Sequence, residues 1–65
     1  MLNLPKPSEM ALRNLETELR LGALEGRLQS PPSVRYAETP QAAARAWREY
    51  TLAIYYKRLF RTSPV

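Results

Sequence analysis

The chain has 65 residues, 45% of them hydrophobic, and a formal net charge of +4 with a sequence pI of about 10.0. It holds no Cys and no His, and Glu supplies all six of its acids. A disulfide is therefore excluded and a structural zinc site, which draws mainly on Cys and His, is not expected. A chain of this length forms one small domain that buries only about 60% of its unfolded surface. Its stability then rests on helix packing or on a partner.

The charge is unevenly placed. Residues 1–28 carry Lys6, Arg13, Arg20 and Arg27 against Glu9, Glu16, Glu18 and Glu25, which cancel. Residues 29–65 carry Arg35, Arg45, Arg48, Lys57, Arg58 and Arg61 against Glu38 and Glu49, which leaves the whole +4 there. An anionic partner for the second half is one reading, and a solvated basic face is the other.

The opening "MLNLPKPS" reads as an extended arm over residues 1–8, because a residue before Pro avoids the helical region. It lacks the basic start and long apolar run of a secretory signal, so an intracellular setting is expected. Ser8 is a natural N-cap for a helix over 9–28. Glu9/Arg13 and Glu16/Arg20 are i,i+4 pairs in the favourable order. Leu12, Leu15, Leu19 and Ala23 share one face at about 100° per residue. Met10, Leu21, Leu24 and Leu28 form a second stripe nearly opposite. Arg13, Arg20 and Arg27, spaced by seven, fill one gap between the stripes with Glu16; Asn14, Glu18 and Glu25 fill the other. A surface helix normally has one apolar stripe. Gly22 and Gly26 lie on the first face, where their lack of a side chain suits a close helix approach; the alternative is that one of them ends the helix as a C′ glycine.

"QSPPS" stops that helix, and a linker over 29–39 is expected to be irregular or extended. Thr39 and Pro40 read as N-cap and first residue of a second helix over 40–60, with a tail over 61–65. Its first half places Ala43, Ala46, Trp47, Tyr50 and Ile54 on one face. Its last turns place Leu52, Tyr55 and Leu59 on the other, with Tyr56 and Phe60 beside them. No apolar run approaches the roughly 20 residues that span a bilayer.

The expected fold is all-α: a two-helix antiparallel hairpin, completed by a partner or by homodimerisation. Leu12, Leu15, Leu19, Trp47, Tyr50 and Ile54 form the expected core. Leu21, Leu24, Leu28, Tyr55, Tyr56, Leu59 and Phe60 are the expected outer contacts. No catalytic residue, metal or cofactor is expected: general acid–base chemistry most often uses His, and the Ser residues fall at caps, linker and tail. The function this supports is a small non-catalytic subunit or modulator that docks its apolar and aromatic faces onto a larger protein assembly. The alternative is a nucleic-acid-binding protein that uses Arg45, Arg48, Lys57, Arg58 and Arg61 as anion contacts. An interfacial membrane helix fits less well, because the late apolar residues do not face uniformly away from the cations.

Overall fold

The structure, a computed structural model, describes residues 6–62. The start of the expected arm (1–5) and the end of the expected tail (63–65) lie outside the described residues. Three helices follow in order, α1 (Glu9–Leu24), α2 (Pro32–Arg35) and α3 (Pro40–Thr62). The described residues contain no strand, and the fold is all-α.

Ser8 starts α1 with extended backbone, and its hydroxyl accepts the Ala11 N–H at 3.0 Å. This satisfies one of the orphan donors of a helix N-terminus. The helix stops at Leu24, four residues before the end read from the sequence. Gly26 adopts φ +79°, and two crossed bonds close the end: Arg27 N–H donates to Gly22 O at 2.9 Å, and Gly26 N–H to Ala23 O at 3.2 Å. That is the Schellman arrangement, which needs a residue without a Cβ penalty at the left-handed position. Leu28 N–H also donates to Gly22 O, at 3.1 Å, and the Leu28 side chain folds back over Gly22. A Cβ at Gly22 would lie 2.7 Å from Leu28 Cδ1, whereas one at Gly26 would meet nothing within 4 Å. Within this chain the two glycines serve one turn, and the residue that approaches Gly22 is Leu28, not a second helix.

The linker is more ordered than an extended segment. Pro31 caps α2 and Pro32 is its first residue, where a missing N–H costs nothing. The two prolines thus end one helix and begin another. Thr39 caps α3, its hydroxyl accepting the Ala42 N–H at 3.0 Å. The third helix then continues two residues past Phe60.

Leu15, Leu19 and Trp47 form the centre of the core, with Ala23, Val34, Tyr50, Ile54 and Tyr55 packed against them. Leu12 and Ala46 are also buried. Trp47 meets Tyr50 edge to face, with ring centroids 6.1 Å apart. Thr51 is the one fully buried side chain among the described residues. Its hydroxyl donates to Trp47 O at 2.7 Å, which removes the cost of burying it.

Ion pairs tie α1 to α3 on two flanks. On one flank of α1, Glu9 and Glu16 meet Arg48. On the other flank, Glu18 faces Arg58, and Asn14 and Glu18 line a groove with Tyr55 and Leu59. So α3 contacts α1 on the Glu16 side and on the Glu18 side, with Leu15 and Leu19 beneath it. Ala11 and Leu15 share a groove with Tyr55 and Leu59, and Ala23 and Leu24 share one with Trp47.

The two glycines differ in a way that stability measurements can read. Gly26→Ala places a side chain at positive φ and is expected to lower the unfolding free energy by about 1 kcal/mol. Gly22→Ala gains roughly that amount in helix propensity and displaces only the flexible, half-exposed end of Leu28, so its net effect is near zero. Urea unfolding followed by circular dichroism checks both.

Candidate interaction surface

Packing three helices around one Trp leaves their outer sides open. Leu24 is 85% exposed, Met10 73% and Leu21 47%. At 100° per residue these three share the side of α1 turned away from α3. Leu28 is half covered by its fold over Gly22. On α3, Phe60 is 56% exposed, while Tyr56 and Leu59 are half-buried. Tyr55, grouped with the outer residues in the sequence reading, packs against the core cluster and meets Tyr56 edge to face at 5.3 Å. Sequence reasoning did not single out Tyr36, which is among the most exposed aromatics and follows the end of α2. The signal was present: an aromatic one residue past a Pro-initiated turn has no core face to join.

The cations divide into two groups. Arg48 bridges two turns of α1, with Nη1 2.9 Å from Glu9 Oε1 and Nε 3.2 Å from Glu16 Oε1. Its hydrogen bonds to Glu9 and then Glu16 raise its pKa further above the ordinary arginine value, against a smaller opposing effect of desolvation. Arg58 Nη1 lies 4.0 Å from Glu18 Oε2. Two of the five expected anion contacts therefore face carboxylates of α1. Arg45, Lys57 and Arg61 are exposed, with Lys57 and Arg61 beside the groove between Leu28, Tyr50 and Ile54. Charge that looks unbalanced along the chain is partly balanced in space, because the neutral first half lends Glu9, Glu16 and Glu18 to the basic second half.

The grooves between the helices are open to solvent. One runs between Thr17, Leu21 and Leu24 of α1 and Ser30, Val34 and Trp47. A second is lined by Ala11, Asn14, Leu15 and Glu18 with Tyr55, Arg58 and Leu59. Among the described residues no group of three or more carboxylates is placed to hold a metal ion, and no helix is long and apolar enough to cross a membrane. What the arrangement offers is apolar and aromatic surface edged by charge. Comparison with protein-family models, curated proteins and solved structures finds no match to the chain.

The Arg48 clamp ties the first turns of α1 to α3 through one exposed carboxylate, Glu9, and one half-buried carboxylate, Glu16, and salt screens the exposed part. Arg48→Met keeps the aliphatic stem and removes the charge. It is expected to lower the melting temperature at low ionic strength and to flatten its dependence on NaCl. Thermal melts between about 0.1 and 1 M salt, on the order of a threefold change in Debye length, check this.

Proposed function

We propose that this chain is a small non-catalytic interaction subunit or modulator that docks apolar and aromatic helix faces onto a larger protein assembly. The observation that carries the reading is the set of large apolar side chains left outside the core, Leu21 and Leu24 on α1 and Phe60 on α3. Apolar side chains on two helices, rimmed by charge, are the usual mark of a contact site. A 65-residue chain has a stability of roughly 3–10 kcal/mol, so covering these residues is worth a sizeable fraction of its total. The partner completes the fold in that sense: it covers the faces that the helices do not cover for each other.

Catalysis is set aside on chemical grounds. The sequence supplies no His, Cys or Asp, the grooves are open, and Glu9, Glu16, Glu18 and Glu25 face Arg. The second reading, nucleic-acid binding through the C-terminal half, is favoured by the placement of the +4 charge. It is weakened by Arg48 and Arg58 facing carboxylates of their own chain.

Leu24→Glu and Phe60→Glu alter exposed positions and leave the core untouched. The two together are expected to reduce stoichiometric capture of a specific protein partner at least 10-fold, the scale of a buried apolar anchor, with unchanged helical circular dichroism. Capture unaffected by both variants would sink the docking reading. A retained ligand that is nucleic acid, with affinity falling steeply in salt and weakened by Lys57→Ala and Arg61→Ala, would put the alternative in its place.

A further inference from the structure

We infer that the outer face of α1 is a self-complementary seam whose occupant is a second copy of this chain, in a parallel, in-register pair. The inference rests on the docking reading for that face and names its partner, leaving the outer side of α3 for a foreign protein.

The spacing carries the first part of the argument. Met10, Asn14, Thr17, Leu21 and Leu24 recur at intervals of four, three, four and three. All five are exposed. This is the d-a-d-a-d sequence of a coiled-coil seam, in which the two central positions of each heptad face the partner helix. The same assignment puts Leu12, Leu15, Leu19 and Gly22 at the b and f positions, which are the buried ones. The core and the seam therefore use different residues of one helix, with Thr17, Leu21 and Leu24 also bordering the groove toward Val34 and Trp47.

Charge carries the second part. Arg13 and Arg20 fall at g, and Glu18 and Glu25 at e. In a parallel pair a g residue faces the e residue five positions further along the partner. Arg13 then faces Glu18 of the second copy, and Arg20 faces its Glu25, with the same contacts repeated by symmetry. An antiparallel pair would bring g against g and e against e, setting arginines against arginines and glutamates against glutamates. The sign pattern thus selects both partner and direction. The existing intrachain pairs of these residues are exposed ones: Arg20 with Glu16 at 3.4 Å, Arg27 with Glu25, and Arg58 with Glu18 at 4.0 Å. Such pairs hold little energy and can be exchanged.

Asn14 carries the third part. It is exposed and occupies an a position, where a single Asn specifies register because it is satisfied only opposite another Asn. In the in-register pair it faces its own copy; a shift of one heptad would set it against Leu21. The seam spans about 22 Å of helix, less than a standard interface needs, so association is weak and concentration-dependent.

The test uses the full chain. Light-scattering mass is expected to rise from one chain toward two as concentration increases over about 10 µM to 1 mM, a span of two decades. Arg13→Glu with Arg20→Glu, and separately Glu18→Arg with Glu25→Arg, replace every g–e attraction by repulsion. Each double variant is expected to raise the dissociation midpoint about 10-fold or more, and an equimolar mixture of the two to restore it. Because Glu18 and Arg20 also have intrachain contacts, Met10→Cys provides a test away from those pairs, in a chain with no other thiol. At the d position of a parallel pair the two sulfurs come within disulfide reach, and oxidation is expected to link this variant much faster than an Ala44→Cys control. A chain that stays monomeric at about 1 mM, where even a weak specific pair would form, overturns the inference. So does a mixture without rescue, or Met10→Cys linking no faster than the control. A dimer lost on Phe60→Glu but kept on Leu24→Glu would place the contact on α3 and overturn it too. Foreign-partner capture lost on Phe60→Glu with the dimer intact would leave both readings standing, whereas a dimer with no foreign partner would end only the docking proposal.

Discussion

The packing of α3 on α1 around a single indole is the constraint on which the other features depend. Two helices and one short turn enclose little volume, so the core stays small, and here it centres on Leu15, Leu19 and Trp47. The indole is the one side chain large enough to fill that volume, and it takes an edge contact from Tyr50 and a guanidinium, that of Arg20, 5.9 Å from its ring centroid. What closes the remaining space is short-range: Leu28 folded back over Gly22, Val34 presented by a single helical turn, and Arg48 reaching to two carboxylates. Each of these extends the contact beyond the small core.

Much of this was legible in the residues. The two caps, Ser8 and Thr39, follow from hydroxyls placed before apolar periodic runs, and both bond as expected. The inner face of α1 was readable from the 3.6-residue period of Leu12, Leu15 and Leu19. The end of that helix was less so. Gly22 and Gly26 have the same composition and the same helical phase, and only the backbone separates their roles, since a φ of +79° at one of them is a property of the turn and not of the residue. The prolines misled for a related reason: Pro breaks a helix that precedes it and favours one that it begins, and "SPPSV" does both in adjacent positions.

Direction was the hardest quantity to read. A linker of about ten residues permits many angles between the helices it joins, and periodicity fixes which faces are apolar without fixing how they meet. The ion pairs add spatial detail that periodicity does not carry, because Glu9, Glu16 and Glu18 lie on two flanks of α1 and their partners, Arg48 and Arg58, are ten residues apart on α3. Thr51 escaped notice as a core residue because a hydroxyl reads as polar, yet in a helix it can return its proton to the carbonyl four residues back and behave as a compact apolar group. Of the surface, the second stripe on α1 was visible from the start. Tyr55 was not assignable, since an aromatic at the edge of a helix contact can turn to either side.

The placement of Trp47 has a further consequence for how the molecule can be observed. It is the single Trp of the chain, and it is buried where Leu15, Leu19 and Val34 pack together. Its fluorescence is consequently a private reporter of whether the helices are docked on one another. Events on the last turns of α3 leave the indole among the same core neighbours, whereas separation of the helices exposes it to water. Optical spectroscopy without any added label can therefore distinguish a loss of internal architecture from a loss of external association at the end of α3.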